Sequence, residues 1–381
     1  MKDIFIIQRI FPTYRKPIFD ALSKKINFTL LHSTNESGIK QTNAEYSTKI
    51  KKWKYGINDT HLFLFVFGSI FRFKPKVVIH ELAAGIISLP IALLCKKLFG
   101  YKLILWGHMY DHKIGFDPQN KFIDKYRLWL QNKADALITY SEGEKNILVK
   151  NQVNEQKIFV ALNTLNTNKF LSIRNDLDKK GKETIKRELD FKFEYNLIYI
   201  GRLYEDKLPN YLIEVLQKIK TNNKDLSVAI HFVGSGTMEN KLKEFSKKYN
   251  LESYVFFHGE IYDEEKSGKL LFASDIMVMP GCVGLSVNHA FCFDCPVVTF
   301  ESLNHVPAHG PEIEYIIHQK TGFIVKNNNL EHLATTIESY LLNIPLQNSM
   351  KSEIRNMVEN ICTIDKFVDS FSKAITFTKS N

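Results

Sequence analysis

Short apolar runs alternate with amphipathic stretches of helical length along almost the whole chain, and few folds accommodate that pattern. In the first half, runs such as Val77–His80 and Leu103–Trp106 alternate with helical patterns such as Lys121–Asn132. This order of elements predicts βαβ units and therefore a parallel, doubly wound α/β sheet. The other predicted strands of this half are Ile4–Ile10, Phe28–His32, Ala136–Thr139 and Ile158–Ala161.

A second series of the same kind follows a polar stretch, Ser172–Glu194, which is dense in Lys, Asp and Glu and shows little apolar periodicity. A chain of 381 residues is also too long for one ordinary core. We therefore predict two Rossmann-like domains, residues 1–170 and 171–350, and a helical tail, 351–381, able to pack back on the first. Predicted strands of the second domain are Leu197–Ile200, Ala229–Val233, Val255–His258, Ile276–Met279 and Val297–Thr299.

The basic excess of the chain lies entirely in its first half. Residues 1–170 have a net charge of +13, and residues 171–381 a net charge of −3. This asymmetry predicts that the first domain faces a polyanion, either an anionic membrane surface or a phosphate-bearing substrate. No nucleic-acid-binding motif accompanies the charge, so nucleic acid is not an expected partner.

The sequence predicts a cytoplasmic protein. The first residues read as a strand and lack the apolar run of a signal peptide. The longest apolar stretch, Ala83–Leu94, contains Pro90 and predicts a short buried helix that cannot span a bilayer. The five cysteines form no disulfide framework, and the Cys292-x-x-Cys295 pair has no second pair at zinc-site spacing, so burial and no metal are expected.

Three motifs of the second half carry candidate chemistry. A predicted strand ends in Gly201-Arg202, with Lys207 just before a helix, which suggests a phosphate clamp, although solvated loop cations fit equally well. Gly284-Leu285-Ser286 opens an apolar helix whose free N–H groups suit a diphosphate, and the alternative is a structural turn. The third motif, Gly259 to Tyr262, offers backbone groups and the apolar Ile261 to a base, and is weak alone.

The order of these pieces is more specific than any one of them. In chain order, the segments are Gly201–Lys207, the Gly234-Ser235-Gly236 turn, His258-Gly259, Pro280–Leu285 and a later Cys295-Pro296. This order resembles that of the retaining GT-B glycosyltransferases of the family 4 type, also called glycosyl transferases group 1. The resemblance implies two Rossmann-like domains facing across a cleft. It also implies that Arg202 and Lys207 hold the donor diphosphate, that Gly284 to Ser286 contact its phosphates, and that Gly259 to Tyr262 contact the base.

The first domain extends this resemblance. Tyr14 and Arg15 lie in a segment similar to the loop that faces the acceptor, and Trp106-Gly107-His108 resembles the segment that supplies a histidine near the transferred sugar. A histidine at a strand end is otherwise a packed or hydrogen-bonding residue. The resemblance therefore gives His108, Arg202 and Lys207 as candidate catalytic residues.

The chain departs from the family at two positions. Members typically have two glutamates eight residues apart across the glycine turn, and here these positions are Gly281 and His289. His289 can still hydrogen-bond the ribose or sugar. Glu312, in Pro311–Tyr315, either partly replaces the missing contact or caps a helix. These changes indicate either a branch with altered donor recognition or a silent GT-B-like binding subunit, and we favour the first.

The function implied is transfer of a sugar, with retention and without a metal or other cofactor, from a nucleoside-diphosphate sugar to a glycan or lipid-linked acceptor in cell-envelope polysaccharide synthesis. A GT-B epimerase or phosphorylase fits less well. The aromatic segment His61–Phe73, flanked by Lys49, Lys51, Lys52, Lys54, Lys74 and Lys76, suggests peripheral contact with an anionic membrane. Its alternative is a core helix leading into Val77–His80.

Overall fold

A computed structural model describes residues 3–34, 39–55 and 61–380. The strands are β1 Ile4–Gln8, β2 Phe28–His32, β3 Ser47–Lys49, β4 Lys52–Tyr55, β5 His61–Leu64, β6 Val77–Glu81, β7 Lys102–Trp106, β8 Ala136–Thr139, β9 Ile158–Val160, β10 Tyr195–Ile200, β11 Val228–Val233, β12 Val255–Phe257, β13 Ile276–Val278, β14 Val297–Phe300 and β15 Gly322–Val325. The helices are α1 Lys16–Lys25, α2 Phe67–Phe73, α3 Ser88–Phe99, α4 Phe122–Lys133, α5 Glu142–Lys150, α6 Thr167–Lys180, α7 Lys182–Glu188, α8 Asn210–Asn222, α9 Glu239–Lys248, α10 Glu264–Ala273, α11 Ser286–Phe291, α12 Leu330–Leu341, α13 Ile344–Asn356 and α14 Ile364–Ser380.

The chain divides into two compact units. Unit 1 comprises Met1–Asn166 and Ile364–Asn381, and unit 2 comprises Thr167–Thr363. The predicted ranges differ in two places: the predicted first boundary is residue 170, and the tail predicted from residue 351 divides at Thr363 between the two units. A π-helical turn, Met357–Ile361, interrupts the tail just before this division.

Unit 1 is built on a seven-stranded parallel sheet in the order β3-β2-β1-β6-β7-β8-β9. Alternate residues of β1 enter two different cores: Ile4 and Ile6 pack on one face of the sheet, and Phe5 and Ile7 on the other. Both faces are therefore buried, as expected for a parallel sheet. The last helix, α14, belongs to the first of these cores and packs its ring of Phe371 against Trp106 with centroids 4.9 Å apart.

Unit 2 is built on a six-stranded parallel sheet in the order β12-β11-β10-β13-β14-β15. The α/β class with two doubly wound sheets is confirmed. The polar stretch Ser172–Glu194, predicted to show little periodicity, is instead mostly helical and forms the end of α6 and all of α7. Sequence periodicity missed α6 because one of its buried positions is a cation: the Arg174 side chain is 4% exposed and pairs with Glu359 Oε1 at 2.6 Å.

Two apolar segments of unit 1 also differ from expectation. The helix predicted within Ala83–Leu94 begins only at Ser88, and it is not fully buried, because Leu94 is 59% and Leu98 71% exposed. The segment His61–Phe73 forms a strand and a short helix rather than one helix. Among the residues described, no helix is both long enough and apolar enough to cross a bilayer.

Candidate active site

The three candidate donor motifs lie at the carboxyl edge of the unit 2 sheet. Gly201-Arg202 follows β10, Gly259–Tyr262 follows β12, and the turn Gly284–Ser286 follows β13 and opens α11. Because all six strands are parallel, their carboxyl ends share one edge, which is where doubly wound sheets bind ligands. The structure therefore brings these sequence-predicted residues to the same edge.

The loops at this edge are held together by backbone contacts. Gly201 N–H donates to Val233 O at 3.0 Å, and Gly234 N–H donates to Gly259 O at 2.8 Å. Gly234 has a φ of 135°, and a Cβ there would overlap the carbonyl oxygen of Gly201. The glycine of the Gly234-Ser235-Gly236 turn thus serves close packing of neighbouring loops.

The two candidate phosphate-binding cations differ in their surroundings. Arg202 is exposed and has its guanidinium 5.2 Å from the centroid of the Tyr204 ring. Lys207, in a 3₁₀ turn spanning Glu205–Lys207, donates from Nζ to the carbonyl oxygen of Cys282 at 2.7 Å. An ammonium group has three protons to donate, so this contact leaves two for a ligand. Lys207 therefore links its own turn to the glycine-rich segment.

Gly281 packs directly against the turn that contains Lys207. Its N–H donates to Lys207 O at 3.2 Å, and Cys282 N–H donates to Asp206 O at 3.4 Å. A Cβ on residue 281 would stand 2.5 Å from Asp206 O, a distance that real Cβ atoms essentially never show. The space beside residue 281 is occupied by backbone, so a glutamate cannot enter this position unless the turn moves.

His289 is half-buried against two aromatic rings, and Glu312 is buried. The His289 ring lies 4.7 Å from Phe170 and 5.6 Å from Phe293, and burial lowers the pKa of its imidazole to about 4. Glu312 is 2% exposed in the 3₁₀ turn Pro311–Tyr315, and its Oε2 lies beside Gly310, whose N–H donates to Val283 O at 2.9 Å. Glu312 therefore adjoins the Gly284 turn.

The base-binding candidates at the end of β12 form a polar, exposed loop. Tyr262 is 82% exposed and donates its hydroxyl hydrogen to Glu260 Oε2 at 2.7 Å. Glu260 also accepts a hydrogen bond from Ser235 Oγ, which ties this loop to the one after β11. Ile261, between them, is half-buried.

Unit 1 carries a second cluster at the carboxyl edge of its own sheet. The guanidinium of Arg15 lies 5.0 Å from the Trp106 ring centroid and donates to Tyr140 Oη at 2.7 Å, and Tyr14 beside it is 43% exposed. Arg9, after β1, pairs with Glu81 at 2.6 Å. Two cations of the segment between β1 and α1 are thus held at this edge by partners at the ends of other strands, and the sequence suggested only Tyr14, Arg15 and His108 here.

His108 is part of a cluster that sequence reasoning missed. Its Nδ1 lies 3.3 Å from Glu144 Oε1, and His112 Nε2 lies 3.2 Å from the same oxygen. Among the described residues, these three form the group whose spacing could hold a metal ion, with ligand atoms within 4.8 Å of one another. The sequence signal that could have pointed to Glu144 is the Ser141-x-x-Glu144 pattern of a helix N-terminus.

Four of the five cysteines are buried, and Cys282 is partly exposed. Burial raises the pKa of the Cys295 thiol to about 12. The Cys292-x-x-Cys295 pair lies at the end of α11 and in the loop that precedes β14. Both thiols therefore act as core side chains.

Comparison with known proteins agrees with this geometry. Residues 181–357 match the family described as glycosyl transferases group 1. The uncharacterized glycosyltransferase MJ1069 of Methanocaldococcus jannaschii is 27% identical over 314 residues, which cover 81% of this chain and 70% of that protein. The poly(ribitol-phosphate) alpha-N-acetylglucosaminyltransferase of Staphylococcus aureus is 26% identical over 271 residues, or 69% of this chain and 49% of that protein, so this chain spans about half its length.

Solved structures show the same fold. The Anabaena protein Alr3699/HepE, crystallised with UDP, superposes with a TM-score of 0.70 at 14% identity, and the alignment covers 99% of this chain and 100% of that one. At this level of identity the likeness concerns the fold alone. The two-sheet architecture described above is therefore that of the GT-B proteins.

Proposed function

We propose that this protein is a glycosyltransferase that uses a nucleoside-diphosphate sugar, and the match of residues 181–357 to glycosyl transferases group 1 supports this proposal. The observation that carries the proposal is the shared edge in unit 2, where Arg202, Lys207 and the Gly284 turn lie at the ends of parallel strands. The contact from Lys207 Nζ to Cys282 O links a cation to the glycine-rich segment. A site that joins positive charge to backbone N–H groups suits a diphosphate.

The reaction breaks the bond between the anomeric carbon and the diphosphate oxygen and forms a bond from the acceptor hydroxyl oxygen to that carbon, with retention of configuration. Arg202 and Lys207 stabilise the negative charge that develops on the departing diphosphate, a preorganised electrostatic effect. The leaving phosphate takes the acceptor's proton. His108 of unit 1 binds a hydroxyl of the transferred sugar. This reaction scheme requires no metal or other cofactor.

Donor recognition in this chain relies on other groups than paired glutamates. Position 281 is filled by the approach of the Asp206–Lys207 backbone, and position 289 is an imidazole that packs against both Phe170 and Phe293. Glu312 adjoins the Gly284 turn and is the carboxylate that we propose as the replacement on the sugar side.

The test is a thermal-shift screen of UDP-, GDP- and ADP-sugars on the wild type, Arg202→Ala and Lys207→Ala. A ligand bound at 100 times its Kd stabilises the folded state by about 2.7 kcal/mol, so a specific donor produces a clear shift. The control is Lys192→Ala, because Lys192 is a cation of unit 2 that precedes β10, at the opposite edge of the sheet. A shift that persists in both Arg202→Ala and Lys207→Ala would contradict the assignment.

The second candidate is a silent binding subunit, and the absence of carboxylates at positions 281 and 289 favours it. A donor that stabilises the protein but is neither transferred nor slowly hydrolysed, with acceptor extracts supplied, would support this second candidate. Release of the nucleoside diphosphate that depends on Arg202 would support the enzyme.

We also propose that unit 1 contacts an anionic membrane, as expected for a lipid-linked or cell-envelope acceptor. Exposed apolar side chains of α2 and α3 lie close together. The ring of Phe71 on α2, which is 66% exposed, has its centroid 6.0 Å from that of Phe99 on α3, and Leu98 on α3 is 71% exposed. Arg72, Lys74 and Lys97 around them are exposed and form no ion pair with a described residue. Anionic headgroups attract such cations by about 1 kcal/mol each.

Sedimentation with vesicles tests this contact. Leu98→Glu is expected to lower the fraction that sediments with anionic vesicles, because it places a carboxylate among apolar groups at the headgroup level. Leu342→Glu, an exposed leucine of unit 2 at 59%, is the matched control and should sediment like the wild type. Equal sedimentation of the wild type with and without anionic vesicles would contradict the proposal.

A further inference from the structure

Glu144 is a fully buried carboxylate at the start of α5. Its own N–H donates to Ser141 Oγ at 3.1 Å, which is the first half of a capping box. The second half is altered, because Glu144 Oε2 accepts the N–H of Tyr140 at 2.8 Å. Oε2 therefore hydrogen-bonds the backbone at the start of the helix, and Oε1 is left for other partners.

The second oxygen, Oε1, is shared by two imidazoles. It lies 3.3 Å from His108 Nδ1 and 3.2 Å from His112 Nε2, and the Met109 N–H also points to it at 3.3 Å. Burial by itself raises the pKa of this carboxyl, but hydrogen bonds from the two histidines lower it to about 2. A carboxylate oxygen accepts hydrogen bonds, so these two contacts require a proton on Nδ1 of His108 and on Nε2 of His112.

The two histidines reach solvent to different extents. The His108 side chain is 49% exposed and that of His112 is 21% exposed. Both line a cavity of 240 Å³ together with Arg9, Tyr110, Asp111 and Arg127. Arg9 is paired with Glu81, and Arg127 with Asp124 at 2.6 Å. With Nδ1 bound to Glu144, His108 keeps Nε2 for a ligand.

We propose, on the basis of the glycosyltransferase function proposed above, that Glu144 is a positioning residue that fixes the ring orientation and tautomer of His108 and His112. His108 Nε2 is thereby oriented to hydrogen-bond a sugar hydroxyl, and His112 hydrogen-bonds the same carboxylate oxygen. A purely structural cap accounts for the contacts to Ser141 and Tyr140 but not for the placement of both imidazoles on Oε1.

The primary measurement is the protonation of each imidazole nitrogen by NMR on protein labelled with ¹⁵N-histidine, which needs no turnover. His108→Gln and His112→Gln assign the two sets of signals. We expect a protonated Nδ1 on His108 and a protonated Nε2 on His112 in the wild type, and a change of both in Glu144→Gln, because an amide cannot accept from both histidines and Tyr140 in the same way. The opposite tautomers in the wild type would overturn the proposal, even if Glu144→Gln failed to fold.

The kinetic measurement uses Glu142→Gln as control. Glu142 is an exposed residue of the same first turn, so this change removes the same charge from the same helix N-terminus. We expect Glu144→Gln to lower kcat by at least about tenfold, as loss of a carboxylate that orients a histidine does. The affinity for the free nucleoside diphosphate, which binds unit 2, should be unchanged.

Equal kcat in the two variants would overturn the positioning role. So would loss of wild-type turnover in a chelator with recovery on adding a divalent cation, because the trio would then be a metal site. A wild type that binds no nucleotide would instead contradict the proposed function, while the NMR result would still decide the role of Glu144.

Discussion

Gly281→Ala is the substitution whose effect the structure determines most directly. The added Cβ would stand 2.5 Å from both Asp206 O and Lys207 C, whereas ordinary contacts begin at 3.4 Å. The turn must therefore withdraw by about 0.9 Å, and three hydrogen bonds, including that of Lys207 Nζ to Cys282 O, stretch with it. Overpacking of this kind costs about 1–3 kcal/mol.

Thermal unfolding measures this effect, and Gly284→Ala is its matched control. A domain of this size loses about 2–4 °C of Tm for each kcal/mol, so Gly281→Ala should lower the Tm by several degrees. Nothing lies within 4 Å of a Cβ on Gly284, which has no positive φ, so Gly284→Ala should stay close to the wild type. Equal Tm values for the two variants would show that the close approach at Gly281 does not constrain the sequence.

Three further outcomes are expected. Arg174→Met should destabilise unit 2 by about 1.5–3 kcal/mol in urea unfolding, because it removes a buried guanidinium that pairs with Glu359 Oε1 at 2.6 Å, and a loss below about 0.5 kcal/mol would refute this. Burial lowers the pKa of His231 from 6.5 to about 3. As the pH falls, the unfolded state therefore takes up a proton before the folded state does, and about 3 kcal/mol of stability is lost between pH 6.5 and 4. In His231→Gln, the free energy of unfolding should depend less steeply on pH over this range. Ellman's reagent should react rapidly with one thiol, Cys282, since the other four are buried, and Cys282→Ser should abolish the fast phase.

Glu144 and Gly281 illustrate how the candidate site divides between sequence and structure. The strand-end positions of Arg202, Lys207 and His108 follow from chain order, because parallel strands bring their carboxyl ends to one edge. The Ser141-x-x-Glu144 spacing predicts a helix start and nothing about the histidines, since His108 lies 36 positions away in sequence. The reason for a glycine at 281 is likewise absent from its neighbours, because the clash involves Asp206 and Lys207 on another loop.

The sequence alone determined the repeated α/β alternation, because each short apolar run must be buried on both faces of a sheet. It also placed most strands, since that burial leaves an apolar signature of strand length. Polar stretches leave no such signature. The sequence did not predict α6, because its buried Arg174, whose partner Glu359 is far away in the chain, cannot be distinguished in the sequence from a solvated charge.

Only the tertiary structure decided which side chains meet. It placed the last helix in unit 1, left Leu98 exposed on a helix that composition alone predicts to be buried, and gave two imidazoles one carboxylate oxygen. Each of these depends on contacts between residues far apart in the chain, and local propensity and periodicity carry no record of such partners.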